Sequence, residues 1–310
     1  MVRPTPPVHN RPPASLPRVS PHFEAYYAAQ PLLPPHEIPS FLDALARPLP
    51  LVLRISQRAF LSERAFSRLL SLLGEELNDQ RALPWAGEGA WQLRLLQPPR
   101  ERGENGEERR ERGERGEGGG RGGGRRGGES YHRFLQRQQS RGSLVRQELA
   151  SLVPALLLAP SARHAVLDMC AAPGSKSCQL LQMMEDDERR GAQGGGFVFA
   201  NDAKLDRVIS LNHRLQSSNV ASPMTVVSSL DARWWPSFGG LRFDRVLCDV
   251  PCSGDGTIRK RHKNTPPWDQ SVARSLHSTQ KLYLASQGAA NALLHHWKVR
   301  YQFGACKSSL

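Results

Sequence analysis

The chain has 310 residues, with 42 Lys and Arg against 29 Asp and Glu and a formal net charge of +13. Its longest apolar stretch, Leu152–Pro160, is too short to span a bilayer, so no membrane partner is expected. Five cysteines in a chain of this length do not make a disulfide framework, and a reducing compartment is the expectation.

Residues 1–21 are Pro-rich, free of acids and read as a disordered leader. Residues 22–97 read as a small α+β region. Ile38–Ala46 and Glu63–Leu77 carry apolar residues at helical spacing, and Leu49–Ile55 has the character of a short strand. Residues 98–130 contain 12 glycines, and most of the remainder is Arg and Glu. Such a segment cannot bury a core and is expected to be a flexible insert.

From Tyr131 the pattern becomes regular, and residues 131–294 read as a second domain. A helix is expected over Arg146–Leu158. Short apolar runs of strand length follow at Ala165–Met169, Phe197–Ala200, Met224–Val227 and Arg245–Val250. Helical patterns separate them at Cys178–Glu185 and at Leu205–Leu215, with Val208, Ile209, Leu211 and Leu215 in helical register. Strands alternating with helices in this way predict an α/β fold with a parallel sheet covered on both faces. Residues 131–310 hold 23 basic and 13 acidic side chains, so the basic excess lies in this half and points to a polyanion such as nucleic acid.

Parallel sheets bind ligands beyond the carboxyl ends of their strands. After the first run comes Asp168-Met-Cys170-Ala171-Ala172-Pro173-Gly174-Ser175-Lys176. After the second comes Asn201-Asp202, after the third Asp231, and after the fourth Asp249-Val-Pro251-Cys252-Ser-Gly254-Asp-Gly256. The small residues of the first loop let backbone approach a ligand closely, and the following helix offers its N-terminal amides. Acids accept from hydroxyl and amino groups but repel phosphates, so a nucleoside-type ligand fits better than a phosphate-rich one. The spacing is neither that of a P-loop nor Gly-x-Gly-x-x-Gly.

These motifs closely resemble the Nop/Sun (RsmB/Nop-type) family of S-adenosylmethionine-dependent RNA cytosine-5 methyltransferases, in its eukaryotic tRNA branch. Phe23-Glu-Ala-Tyr-Tyr27, Phe41-Leu-Asp-Ala-Leu45 and Pro48–Ile55 support the resemblance, as does Arg146-Gln-Glu148 leading to Leu156–Leu158. It implies a class I, Rossmann-like methyltransferase sheet. Residues 170–176 would wrap the methionine part of S-adenosylmethionine. Asp202 would hold the ribose hydroxyls, Asp231 would sit by the adenine amino group, and Asp249 would lie between donor and cytosine, with Lys176 neutralising it. Cys252, the catalytic cysteine of the Pro-Cys motif, would assist release of the product, although its chemistry would also allow it to act as the nucleophile. RNA, and tRNA in particular, is the implied partner, acted on by a monomer without metal in the nucleus or nucleolus, or otherwise in the cytoplasm.

The sequence departs from the family after Cys252. The Thr-Cys-Ser segment that carries the family's nucleophile does not occur, and the only later cysteine is Cys306. The sheet is therefore expected to be C-terminally incomplete, with 295–310 a divergent tail, and methyl transfer by the chain as written is expected to be weak or absent. The competing readings are a non-catalytic RNA-binding protein and a truncated fragment. Cys248 and Cys178 are expected to pack in the core. The Cys170/Cys178 and Cys248/Cys252 spacings do not match a zinc site, and His295-His296 reads as a surface pair.

Overall fold

The computed structural model describes residues 20–47, 49–55, 62–73, 77–86, 89–95, 131–217, 224–234, 242–260 and 268–290. Most of the leader, the 98–130 insert, and the tail with His295, His296 and Cys306 lie outside the described residues.

The first unit begins at Ser20, whose hydroxyl accepts from the Phe23 amide and caps α1 (Pro21–Ala28). Next come α2 (Ile38–Leu45), β1 (Leu51–Ile55), α3 (Ser62–Leu73), β2 (Leu77–Ala82), β3 (Ala90–Leu95), α4 (Tyr131–Ser140) and β4 (Leu144–Arg146). The strands pair antiparallel in the order β2-β3-β1-β4. β1 is buried along its whole length because it is a central strand with both neighbours in place. Phe66, Leu69 and Leu73 of α3, with Tyr131, Phe134 and Leu135 of α4, bury against Leu53 and Leu93.

Three sequence expectations are corrected here. The helix expected to reach Leu77 ends at Leu73, and Leu77 opens β2. β2 carries no apolar alternation and gave no signal, whereas β3 does carry one in Trp91-Gln92-Leu93-Arg94-Leu95 and was overlooked. Residues 131–146, read as the start of the second domain, supply α4 and β4 to the first unit. A three-residue strand exists only by virtue of its partner, and Arg146 therefore pairs with Leu53 in the sheet instead of opening a helix.

The second unit runs α5 (Leu149–Leu158), β5 (Ala165–Asp168), α6 (Ser175–Arg189), β6 (Phe197–Asn201), α7 (Leu205–Ser217), β7 (Thr225–Ser228), β8 (Arg245–Leu247) and α8 (Gln270–Ala290). All strand pairs are parallel, in the order β7-β6-β5-β8. β5, β6 and β7 step outward in one direction, whereas β8 returns to the other side of β5. The switch point thus lies between β5 and β8. Neighbouring residues of β5 face opposite sides: Val166 packs with Leu180, Met184 and Leu211, while Leu167 packs with Phe243, Val246 and Tyr283. This is the sheet covered on both faces that the alternating runs predicted.

β8 is shorter than expected, since the chain leaves the sheet at Cys248. On α7, Leu211 and Leu215 are buried as expected, but Ile209 is 65% exposed and lies one turn from Leu205, exposed to the same degree. No described helix is long and apolar enough to cross a membrane.

A buried polar network joins the two units. Arg54 on β1 donates from Nε to Gln147 Oε1 at 3.0 Å and from Nη1 to Gln182 on α6. Gln147 passes a hydrogen bond to Gln179 Oε1 at 2.7 Å, and Gln179 donates to the Leu152 carbonyl. Burial lowers the Arg54 pKa to about 10.

Candidate active site

The loop after β5 is shaped by Gly174, which has φ +101° and forms the N-cap of α6. A Cβ there would lie 3.0 Å from Leu211 Cδ1, on a backbone that L side chains rarely adopt, so both conformation and space call for glycine. The loop is tied to the neighbouring strand end, since the Ala171 amide donates to the Asn201 carbonyl at 2.7 Å.

Asn201 is a residue whose role the sequence did not reveal. Its side chain is fully buried, donates to the carbonyls of Met169 and Leu230, and accepts from the Leu230 amide and the Ser228 hydroxyl. One carboxamide therefore staples the chain segments that follow β5 and β7 to the end of β6. The Asn-Asp pair was the available signal, but it does not distinguish a staple from a turn residue.

Asp202 is buried, and both its oxygens have partners. Oδ1 accepts from the Lys204 amide at 3.2 Å, while Oδ2 accepts from the Ala172 amide and faces Arg207 Nη2 at 3.3 Å. The same Arg207 nitrogen donates to the Ala172 carbonyl at 2.7 Å. Asp231 is held more tightly still. Arg233 donates to it from Nε at 2.9 and 3.0 Å, from Nη2, and from its backbone amide. These bonds hold the Asp231 carboxyl below the usual carboxylate range.

At the switch point, Lys176 Nζ lies 2.6 Å from Asp249 Oδ2, joining the loop after β5 to the loop after β8. Below them Asp168 is almost wholly buried. Its Oδ2 accepts from the Ser177 hydroxyl at 2.7 Å, while Oδ1 has no hydrogen-bond partner among the described residues. Burial pushes its pKa up to about 7; Asp249 adds to the rise, while the Ser177 hydroxyl and Lys176 oppose it. Burial is also the main cause that raises the Cys170 thiol, which is hydrogen-bonded with Tyr283 of α8, and that pushes Cys248 up to about 12.

Cys252 stands apart from the other described cysteines. It is exposed, whereas Cys178 is buried and Cys170 and Cys248 are half-buried. Cys178 and Cys248 pack against the two core faces. The Cys252 turn is anchored on one side by Gln280 of α8, whose Nε2 donates to the Pro251 carbonyl at 3.0 Å. The structure therefore places residues 170–176, Asp202, Asp231, Asp249 and Cys252 along one edge of the sheet. No group of three His, Cys, Asp or Glu side chains able to hold a metal ion occurs among the described residues.

A parallel sheet with this order, carrying an acid after each strand and an exposed thiol after the fourth, is a Rossmann-like unit with its ligand edge at the carboxyl ends of the strands. Residues 155–290 match the family described as 16S rRNA methyltransferase RsmB/F. The chain is 32% identical over 279 residues to the multisite-specific tRNA:(cytosine-C(5))-methyltransferase of Saccharomyces cerevisiae, covering 83% of this chain and 37% of the relative. It is also 32% identical over 227 residues to the tRNA (cytosine(34)-C(5))-methyltransferase of Drosophila melanogaster, covering 70% of this chain and 27% of that protein. Among solved structures, NSun6 from Pyrococcus horikoshii with SFG superposes with a TM-score of 0.57 at 16% identity, covering 88% of this chain and 80% of that one. A methyltransferase homolog from the same organism gives a TM-score of 0.55 at 20% identity, over 88% of this chain and 74% of that one. At these identities the structural matches show the fold. Residues 155–290 belong to the RsmB/F-type (Nop/Sun) methyltransferase family, and the chain spans about a third of the length of the two curated relatives.

Proposed function

We propose that this chain is an RNA cytosine-5 methyltransferase unit that uses S-adenosylmethionine and acts on tRNA, with weak transfer because the Thr-Cys-Ser nucleophile segment does not occur in the sequence. The observation that carries the reading is the convergence of the Lys176–Asp249 pair and the exposed Cys252 at the switch point, flanked by Asp202 and Asp231. The donor set suits this cofactor. Carboxylates accept from ribose hydroxyls and an adenine amino group, as Asp202 and Asp231 would here. Arg207 and Arg233 must yield for Asp202 and Asp231 to take a ligand. Both are part-exposed, with side chains 43% and 39% accessible.

S-adenosylmethionine supplies an electrophilic methyl group on a sulfonium. Cytosine C5 is a poor nucleophile until a thiolate adds to C6. In this reading Cys252 is the thiol that works at C6, forming or releasing the sulfur–carbon bond. Asp249, with its charge balanced by Lys176, would lie between base and donor. Loss of the C5 proton and of the thiol then restores the ring. The basic excess of residues 131–310 would hold the RNA backbone. A single chain working in the nucleus or nucleolus is the accompanying expectation.

The test is transfer of labelled methyl from S-adenosylmethionine to a tRNA transcript, with 5-methylcytosine identified in the digest. Transfer that disappears in Cys252→Ala supports the reading. Tight RNA and cofactor binding with no transfer overturns it in favour of a non-catalytic RNA-binding protein.

A further inference from the structure

The side chain three residues beyond Cys252 is held from the far end of the chain. Asp255 opens the 3-10 turn Asp255–Lys260 and is only 7% exposed. Its Oδ2 accepts from the Tyr27 hydroxyl at 2.7 Å, across a separation of 228 residues. Its Oδ1 accepts from the Trp268 indole Nε1 at 2.9 Å. Tyr27 and Trp268 are themselves buried among Phe23, Tyr26 and Phe41, with the Phe23 and Trp268 rings edge to face at 5.4 Å. Tyr27 belongs to α1, which packs with α2 and with Trp268 and Ile258, whereas Asp255 belongs to the loop that presents Cys252.

The choice of side chain is informative. A buried carboxyl group costs stability unless its oxygens are satisfied. Here both oxygens accept, and both donors come from neutral groups. An amide at this position would turn an NH2 toward one of the two donors, so the site is matched to a carboxylate. On the other side of Cys252, Gln280 of α8 holds the Pro251 carbonyl, and Gly254 at φ +74° makes the turn between the two anchors. The Cys252 turn is thus pinned at Pro251 and at Asp255, leaving the thiol exposed between them.

We propose that Asp255 is a positioning residue for Cys252, and that Tyr27 and Trp268 fix it in place, so that helix α1 forms part of the working site. This rests on the reading that Cys252 works at the target base. The hydrogen bonds of the clasp run from Tyr27 and Trp268 to Asp255, so its loss should act on the thiol's presentation and not on cofactor affinity.

The experiment uses the full chain and compares Tyr27→Phe, Trp268→Phe and Asp255→Asn with wild type. Removing a hydrogen bond to a charged acceptor is expected to raise amide exchange in residues 252–258 about tenfold, leaving residues 165–185 unchanged. Tyr27→Phe, the mildest change, keeps the ring packing and decides the matter if Asp255→Asn does not fold. Alkylation of Cys252 by iodoacetamide, followed by peptide mass spectrometry, should shift in the variants toward the rate of an unstructured peptide of the same sequence. Methyl transfer should fall in turnover while the Kd for S-adenosylmethionine stays within about twofold of wild type, a split that general destabilisation does not produce. Unchanged exchange and unchanged Cys252 alkylation in Tyr27→Phe overturn the proposal, as does an equal loss of cofactor affinity. If the wild-type chain transfers no methyl group, the proposed function fails, while exchange and alkylation still decide the clasp.

Discussion

Lys176 and Asp249 meet at 2.6 Å across the switch point, and beneath them lies Asp168, whose carboxyl group is buried. One ammonium thus serves two acids. Asp249 is one of the causes that raises the Asp168 pKa, and Lys176 is one of those that lowers it. The balance sets a pH dependence that can be measured. The folded-state pKa of Asp168, about 7, lies above its unfolded value, so the folded chain binds more protons than the unfolded chain in the interval between them. Stability should therefore decline as pH rises from about 4 toward 7, by up to roughly 1.4 kcal/mol per pH unit from this group. Denaturant titrations should show that slope in the wild type and its loss in Asp168→Asn. In Lys176→Met the decline should continue above pH 7, because the opposing cation is gone. An identical pH slope in wild type and Asp168→Asn would refute this account.

The two acids proposed to take the nucleoside are already held by arginines, and this makes the affinity adjustable. Asp202→Ala should weaken S-adenosylmethionine binding at least tenfold, by roughly 1.4 kcal/mol or more for a lost charged hydrogen bond. Arg233→Gln removes the guanidinium bound to Asp231 and should strengthen binding severalfold, since the ligand no longer has to displace it. Calorimetry on folded samples reads both. Weaker binding in Arg233→Gln would mean that the guanidinium itself contacts the ligand.

The Arg54 network predicts a stability effect far from any ligand. In Arg54→Ala, Gln147 and Gln182 lose their donor inside a buried interface, at about 2–4 kcal/mol for the unmade hydrogen bonds and the lost side-chain volume. Arg54→Lys should not restore it, because an ammonium cannot reproduce the planar fork that spans two carboxamides. A midpoint for Arg54→Ala within experimental error of wild type would remove the network from any structural role.

RNA binding should be dominated by phosphate contacts. The log of affinity against the log of salt should have a slope set by the number of neutralised phosphates, at about 0.7–0.9 per contact. Deleting residues 98–130 should change it little, since that segment holds nine basic and eight acidic side chains. A salt-independent affinity would contradict the electrostatic reading.

What the sequence determined by itself was the second unit and the acids and thiol along its carboxyl edge. Apolar runs separated by helical patterns can bury only as a sheet covered on both faces. An acid or a Pro-Cys turn after each run then falls at the carboxyl edge whatever the lengths of the intervening helices. Asp168, Asp202, Asp231, Asp249 and Cys252 were legible for that reason, and the Lys176–Asp249 pairing was foreseen from the motifs that carry the family resemblance. Tertiary structure alone decided three further matters. It assigned α4 and β4 to the first sheet, because a three-residue strand has no signature until Leu53 pairs with Arg146. It made Asn201 a staple between strand ends and set Arg207 and Arg233 on the acids, since hydrogen-bond partners are chosen by approach in space. It brought Tyr27 to Asp255 across 228 residues. No local pattern encodes such a bond, because residues so far apart in sequence are brought together only by the tertiary fold.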